Sequence, residues 1–526
     1  MKKRFLSWVK ERLFLIVVVF VYSVLAFINL GDFVSPQTYE TLLPDEALII
    51  SLPEEREVSK VIFYTWTTDN DFEIKYHADN LMEKSFKVYG PFQWASLNIN
   101  KKATKIYIQP QAQRRISYGE FGVLDKDSNL IEGVSIYRST LEKLEKLTDE
   151  QELVPSERTA MNSIIFDEIY FAQTAYQYAN GTRGYETVHP PLGKILQSIP
   201  IALTGKMTPF IWRFMGTLTG IIIIIAVYYL ALLLFKEKYF ANIAAILISL
   251  SCMHFTQTRV GTVDSYLCLF TILSYFFMFK FVDKPEKFRN FVLSGIFFGC
   301  ACSVKWSGAF GGAGLAIILF NYFIKSGLFK KGNTKKILAW FFKGVSCFIL
   351  IPLIIYSACY LLFPNTTEAH SLADVYDQGV NLFTYHANES SPHSASSPWY
   401  SWPISFRGFT FFVSEDGTKT SGLIGNYILC YVSVVALLIT LYFAIKKHDK
   451  ISLRILIPYL SLWIPYAFIT RPMFLYHYLP ASIFAILAIV NLIQKFPESR
   501  KFLVRVIIGS ALILFILLYP RMTGVI

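Results

Sequence analysis

The sequence predicts an all-α polytopic membrane protein of about eleven spanning helices, with an inserted β-rich domain. Hydrophobic residues make up 53% of the 526 residues, and the mean hydropathy is +0.41. Several apolar runs reach the roughly 20 residues that a helix needs to cross a bilayer core. We expect spans near residues 13–30, 210–235, 239–257, 263–282, 289–304, 307–325, 337–363, 423–445, 453–470, 474–494 and 502–519.

The first apolar run, Leu13 to Leu30, follows Lys2, Lys3 and Arg4. Because this run is long and no small-residue cleavage site ends it, we interpret it as a retained signal-anchor. The net charge of +12 lies mainly in short loops between apolar runs, which argues against nucleic acid as a partner. The membrane is the partner that this distribution predicts.

Basic residues orient the chain. Alternate segments hold 24 Lys and Arg residues, whereas each short segment between them holds one. This asymmetry predicts a cytoplasmic N-terminus, an outer C-terminus and two long outer regions, 31–208 and 364–422. The single outer basic residues are Arg259, Lys305, Arg471 and Arg521. Each of them either snorkels to headgroups or serves a site.

Six regions follow from these patterns. Residues 45–138 alternate apolar and polar positions over about seven short strands, with a predicted turn at Asn100–Lys102. We expect a small β-sandwich or jelly roll, which either binds glycan or acceptor or acts as a rigid spacer. Residues 139–153 are predicted to form a charged helix.

The predicted layout is an anchor (1–31), the β-rich domain (32–155), a catalytic outer loop (156–208), helices 2–7 (209–363), a second outer loop (364–422) and helices 8–11 (423–526).

The acidic pair Asp167-Glu168 is expected just above the membrane. Helix capping is its alternative role, since Asp often caps the start of a helix. Other ionisable residues map to the same face, at the outer ends of spans. Such a set suits a lipid-phosphate substrate, because cations can bind the phosphate and a carboxylate can act as base on an incoming hydroxyl. The residues of this set are His189, Lys194, Arg213, Arg259, Asp264, Lys305, Arg471 and His477. A phosphate leaving group needs no general acid, so one base suffices for an inverting displacement.

A resemblance becomes specific at these residues. The chain resembles the protein O-mannosyltransferases (dolichyl-phosphate-mannose–protein mannosyltransferases) of the GT-C superfamily. The matching pieces keep the order and spacing of the family across about 160–480. They are FDEIYFAQTAYQYANG (166–181), VHPPLGK (188–194), WRFMGTLTG (212–220), TRVGTVDSYL (258–267), VKWSG (304–308), HSASSPWYSWP (393–403) and YHYLP (476–480).

The resemblance implies transfer of mannose from a polyprenyl-phosphate carrier to Ser or Thr of exported proteins, with inversion. Asp167 would be the base, and Glu168 would position the acceptor or share that role. The donor phosphate or lipid would lie near His189, Lys194, Arg213, Arg259 and Lys305. Asp264, His393, Trp402 and His477 would organise the site. The resemblance implies no cofactor and no metal.

The outer loop 364–422 departs from eukaryotic members of the family, because its roughly sixty residues are too few for their MIR domain. This compact form looks bacterial, which implies a plasma-membrane enzyme with an outer active site and an undecaprenyl-like carrier. A lipid or cell-wall glycopolymer acceptor stays open, as does a dimer. A transporter is less favoured, since its ionisable residues should lie near the bilayer midplane. The aromatic residues of this loop could instead form an interfacial belt.

Overall fold

The computed structural model describes residues 2–44, 46–67, 71–79, 83–112, 114–405 and 407–524, which form a helical bundle with one inserted sheet. Its helices are α1 (Lys2–Phe27), α2 (Glu168–Asn180), α3 (Leu192–Thr204), α4 (Pro209–Phe235), α5 (Lys238–Ser249), α6 (Cys252–Arg259), α7 (Asp264–Asp283), α8 (Arg289–Val304), α9 (Phe310–Lys325), α10 (Thr334–Val345), α11 (Ile351–Leu361), α12 (Pro364–Thr367), α13 (Leu372–Asn388), α14 (Tyr427–Lys446), α15 (Lys450–Trp463), α16 (Leu479–Lys495) and α17 (Arg500–Thr523).

Eight helical stretches in the described residues are long and apolar enough to span a membrane, or nine if α5 and α6 form one bent span. This confirms a multi-pass helical membrane protein, while the count of eleven stays a prediction. α8 has the predicted bounds, but its 16 residues rise only about 24 Å. The span expected near 239–257 is broken in the structure: α5 and α6 meet at 59°, where the Ser251 hydroxyl caps α6.

The inserted domain is one antiparallel seven-stranded sheet. Its strands run in the order β1-β6-β2-β5-β3-β4, and β7 pairs with β2. They are β1 (Glu40–Leu42), β2 (Leu48–Thr65), β3 (Phe72–Ala78), β4 (Lys84–Val88), β5 (Gln93–Gln111), β6 (Ile116–Leu124) and β7 (Ser135–Arg138). A separate hairpin, β8 (Phe409–Val413) with β9 (Thr420–Leu423), lies in the second outer loop.

The expected sandwich of two sheets was wrong, because two strands of 18 and 19 residues, β2 and β5, run through the whole domain. The expected turn at Asn100–Lys102 lies inside β5. Val58 pairs with Lys101 and Lys60 with Asn98, and Asn100 takes a left-handed φ of 55°. The turn-prone Asn therefore forms a bulge, which bends the strand without ending it.

The charged helix expected over 139–153 was also wrong. The segment forms two short 3₁₀ turns, Glu145–Leu147 and Gln151–Leu153. The carboxylate of Glu150 accepts hydrogen bonds from the backbone N–H groups of Gln37 and Thr38. Side-chain contacts to the backbone compete with helix formation, and here they fasten this segment to the chain that leads into the sheet.

The sheet shares a hydrophobic core with the helices next to the acidic pair. Phe92, Trp94 and Trp66 pack in one cluster with Ala172 of α2 and Trp212 of α4. The backbone continues this junction, because the Ile164 N–H donates to the Phe92 carbonyl at 3.1 Å. The inserted domain is therefore neither a detached spacer nor a tethered module, since removing it would uncover buried aromatic groups on α2 and α4.

Replacing Phe92, which is 0% exposed, tests this junction. We expect Phe92→Ala to lower the free energy of unfolding by about 3–5 kcal/mol, because it empties a core that the sheet and helices share. Thermal unfolding of the detergent-solubilised protein measures the loss. Phe86→Ala, at a partly exposed position on the sheet's own core, is the matched control with a smaller expected loss. Equal melting temperatures for Phe92→Ala and the parent would contradict the shared core.

Candidate active site

Asp167 stands at a strained turn before α2. Phe166 adopts a left-handed φ of 51°, which costs a residue with a β-carbon about 1–2 kcal/mol. Aromatic packing holds it there, with ring centroids 4.8 Å from Phe411 and 5.7 Å from Tyr476. Asp167 occupies the N-cap position, but its side chain makes no capping hydrogen bond. The capping alternative is therefore wrong, and among the described residues no ion pair or hydrogen bond engages this partly exposed carboxylate.

Glu168, the next residue, is completely buried and fully bonded. Its carboxylate pairs with the Arg213 guanidinium through Nε at 2.7 Å and a terminal nitrogen at 2.8 Å. It also accepts from the Trp212 indole at 3.0 Å and the Gly261 N–H at 2.8 Å. Its fifth bond, from the Ile165 N–H, closes the turn around Asp167. This geometry favours a positioning role for Glu168 over the acceptor contact that we expected.

Arg213 and Arg259 bond to the protein and not to the cavity. Arg213 also donates to the carbonyls of Leu30, Ala160 and Ser163, at 2.7–3.0 Å. Arg259 donates to the Ile28 carbonyl at 3.0 Å, which fastens the end of α1. Both side chains are at least 95% buried. Their arrangement favours structural roles over the donor-phosphate contacts predicted from sequence.

Lys194 is also held inside the protein. Its ammonium donates to the carboxylate and carbonyl of Glu186 and to the His189 carbonyl. All three N–H donors of the Lys194 ammonium are therefore used, and none is left for a ligand. Although burial acts the other way, Lys194 and His189 lower the pKa of Glu186 to about 2. Lys194 and Glu186 therefore fix the loop that carries His189.

Lys305 is the single extended residue between α8, which ends at Val304, and the helical turn that begins at Trp306. Its ammonium lies 2.8 Å from the Asp264 carboxylate, at the start of α7, and 5.2 Å from the Tyr476 ring centroid. Gln257 donates to the second Asp264 oxygen at 3.3 Å. Asp264 thus holds the Lys305 ammonium in place, while its organising role in a catalytic site stays a prediction.

Two histidines meet beside this pair. His189 and His386 have ring centroids 5.5 Å apart. The His189 Nδ1 lies 2.8 Å from the Glu186 carboxylate, and the His386 Nε2 lies 2.8 Å from the Val188 carbonyl. Burial lowers the pKa of His189, and it lowers the pKa of His386 to about 4 with help from Arg471. Both rings are therefore neutral near pH 7, and each keeps one nitrogen as an acceptor.

A cavity of about 720 Å³ opens between these groups. The predicted residues His189, Lys305 and His477 line it, and His386 and Arg471 join them. Among the described residues, no acceptor bonds to the Arg471 guanidinium. Sequence reasoning placed Arg471 on the outer face without assigning it to the site. Its signal was a lone basic residue in a short outer segment.

The two remaining predicted residues, Trp402 and His393, each pack against aromatic or histidine rings. Trp402 stacks on His477 at 6.0 Å and donates to the Ser397 hydroxyl at 3.0 Å. His393 is exposed and packs against Phe474, with ring centroids 5.0 Å apart. Trp402 therefore supports the cavity from behind, whereas His393 lies outside the group of residues that line it.

The described residues contain one acidic group close enough to share a metal ion, formed by Glu120, Asp149 and Glu150 in the inserted domain. Glu120 already accepts from the Glu150 N–H and the Gln151 amide. These hydrogen bonds to protein groups account for the position of the Glu120 carboxylate without a bound ion. It also lies outside the lining of the cavity.

The fold is that of a membrane glycosyltransferase of the GT-C type. The structure is similar to the Saccharomyces cerevisiae protein O-mannosyltransferase Pmt1–Pmt2 complex bound to the sugar donor, with a TM-score of 0.61 and 14% sequence identity. This similarity covers 69% of the chain and 87% of the yeast chain.

Sequence similarity gives the family. The model for dolichyl-phosphate-mannose–protein mannosyltransferases matches residues 206–365, and the model for the C-terminal four-helix membrane region of protein O-mannosyltransferases matches 372–525. A polyprenol-phosphate-mannose–protein mannosyltransferase of Mycolicibacterium smegmatis is 24% identical over 68% of the chain and 84% of its own length. Its Mycobacterium tuberculosis counterpart is 22% identical over 62% and 74%. The chain belongs to the protein O-mannosyltransferase family and is an enzyme.

Breaking the buried pair tests the role of Glu168. Glu168→Gln leaves the Arg213 charge buried without its counterion, so we expect a loss of about 3–5 kcal/mol in the free energy of unfolding. Glu157→Gln is the matched control, because its pair with Lys419 is about 40% exposed and contributes about 0–1 kcal/mol. Chemical denaturation of both variants measures the difference. Losses of equal size would exclude Glu168 as a structural anchor.

Proposed function

We propose that the protein transfers mannose, with inversion, from a polyprenyl-phosphate-mannose donor to Ser or Thr hydroxyls of exported proteins. One observation carries this proposal: Asp167, whose carboxylate has no hydrogen-bond or ion-pair partner among the described residues, lies close enough to Lys305 to feel its charge. Lys305 in turn lines the cavity together with Arg471. The names of the mycobacterial relatives support the donor and the protein acceptor. The positive-inside asymmetry supports an outer active site in a plasma membrane.

Asp167 is the base in this proposal. Burial raises the pKa of Asp167 to about 7, with Lys305 acting in the opposite direction and Asp264 in the same one. A base of this strength is ionised near neutral pH and still takes a proton readily from a hydroxyl. The acceptor oxygen attacks the anomeric carbon while the phosphate departs from the opposite face, and Asp167 receives the hydroxyl proton.

Arg471 and Lys305 stabilise the departing phosphate. Arg471 brings a guanidinium that has no partner among the described residues, and its fork matches two phosphate oxygens. Lys305 brings an ammonium with spare donors, since Asp264 occupies one. Fixed positive charges act on the charge that develops as the bond breaks, so the step requires no general acid. We propose on this chemistry that no metal takes part.

The neutral histidines suit the sugar better than the phosphate. An acceptor nitrogen repels a phosphate dianion but receives a hydrogen bond from a hydroxyl. The His386 Nδ1 is buried and without a partner among the described residues. We therefore assign His386 and His189 to mannose hydroxyls, which revises the phosphate contact that we expected for His189.

Removing the base should abolish transfer. We expect Asp167→Asn to lose at least about a thousandfold in kcat, because an amide cannot take the acceptor proton. Radiolabelled mannose transfer from a synthetic polyprenyl-phosphate-mannose to a Ser/Thr peptide measures it. The melting temperature should stay unchanged, since the carboxylate bonds to no described residue. Asp71→Asn, on the inserted domain, is the control. Normal turnover by Asp167→Asn would sink the assignment.

The pH profile should report the same group. Because Asp167 acts ionised and its pKa is raised to about 7, kcat/KM should rise with pH below about 7 and level off above it. Lys305 favours the ionised form, so Lys305→Met should move the midpoint to higher pH. A flat profile between pH 5.5 and 8.5 would exclude Asp167 as the titrating base.

We expect substitution of Arg471 to weaken donor binding and substitution of Arg259 to lower the stability of the fold. Arg471→Ala should raise the KM for the donor about tenfold or more, because a charged hydrogen bond to the phosphate is lost. Arg259→Ala should instead lower the melting temperature, since its donors hold the end of α1. Arg183→Ala, at an exposed surface pair, controls for net charge. An unchanged donor KM for Arg471→Ala would contradict the phosphate contact.

The decisive experiment supplies purified protein in liposomes with polyprenyl-phosphate-mannose, an acceptor peptide and total membrane lipid. Mass spectrometry then identifies which molecule gains the hexose, and proton NMR of the glycopeptide gives the anomeric configuration. Mannose on Ser or Thr with inverted configuration supports the proposal. Sugar on lipid or glycopolymer alone would overturn the protein acceptor.

A further inference from the structure

The helix α13 has three distinct faces. Val375 and Leu382 lie on a buried face, and Val375 packs in one cluster with Tyr360 at the C-terminal end of α11. Polar residues such as Asp377 and Asn381 occupy an exposed face. Four large apolar side chains form a third face, which is also exposed. They are Leu372, Tyr376, Val380 and Phe383, with exposures of 67%, 72%, 43% and 65%.

The spacing of these four residues is helical. Steps of four, four and three positions keep them within one stripe, because side chains three or four apart share a face. A helix with one buried face, one polar face and one exposed apolar stripe fits an element that lies in a membrane interface. In plain water such a surface would be an association liability.

The position of α13 supports this orientation. It begins soon after the apolar span Thr334–Leu361, beyond Leu362, which is 73% exposed. The His386 bond to the Val188 carbonyl ties its other end to the candidate active site. α13 therefore lies at the level where the spans end, next to the cavity.

The stripe runs to the mouth of that cavity. Phe383 is its last member and also lines the cavity. Phe468, at the end of the span Lys450–Phe468, also lines the cavity and is 83% exposed. Two strongly exposed phenylalanines in one cavity lining favour an apolar medium over water, which an opening toward lipid would provide.

We propose that α13 lies in the membrane leaflet next to the site, with the stripe in contact with lipid chains, and that Phe383 and Phe468 flank the opening through which the donor's prenyl chain enters. The second part rests on the proposed donor. The polar face carries Asp374 and Asp377 and no basic residue. Apolar contact, and not attraction to anionic headgroups, therefore holds the helix.

Nitroxide accessibility tests the first part. Tyr376→Cys and Asn381→Cys, each in a background without the seven native cysteines, are labelled and reconstituted in phosphatidylcholine vesicles. The label at 376 should favour oxygen over a water-soluble nickel complex, and the label at 381 should show the reverse. Equal nickel access at both positions overturns the proposal. Dipolar broadening at 376 would assign the stripe to a second copy of the chain and also overturn it. So would a requirement for anionic lipid.

Donor length tests the second part in the protein with its native cysteines. Tyr376→Asp should raise the KM for undecaprenyl-phosphate-mannose about tenfold in vesicles and leave the KM for a soluble ten-carbon donor within about twofold. Asn381→Asp, with the same charge on the polar face, should change neither. Equal effects of Tyr376→Asp on both donors would overturn the opening. Failure of the parent protein on both donors would instead reject the proposed function, while the accessibility result would stand.

Discussion

The buried pair between Glu168 and Arg213 is the constraint on which the site depends. One carboxylate and one guanidinium gather the turn before α2, the start of α4, the loop at Gly261 and the end of α1. Burying two charges is costly unless every donor and acceptor is used. Here eight hydrogen bonds engage the pair, two of them between the two side chains. The adjacent Asp167 is thereby fixed in place while its own carboxylate remains free.

The charged residues around the site fall into two groups. Lys194, Arg213 and Arg259 have bonds from the protein that hold loops and helix ends together. Lys305 and Arg471 reach the cavity with donors to spare. Lys194 and Arg213 have all their donors bonded to the protein, so the second group is the better candidate to bind a ligand. The family motifs contain members of both groups, so belonging to a motif does not reveal which role a residue has.

The sequence predicted what depends on local pattern. Apolar runs located the long apolar helices within a few residues, and the motifs contain His189 and Lys305, which line one cavity. The role of Asp167 stays a prediction. Distant contacts were not predictable. The bulge at Asn100, which faces β2, and the bond from Arg259 to the Ile28 carbonyl depend on partners far along the chain. Arg471 was visible as an isolated outer charge, but its lack of a partner is a property of the fold.

The shared core between the sheet and the catalytic helices has a consequence for biosynthesis. Phe92 meets Trp212, a residue 120 positions later in the chain. At about 5–20 residues per second, the ribosome needs about 6–24 s to make that stretch. The finished strands present Trp66, Phe92 and Trp94 without a cover during that interval. The nascent sheet is thus prone to aggregation until α4 emerges. A chaperone that binds the translocating chain would protect these aromatic side chains during that interval.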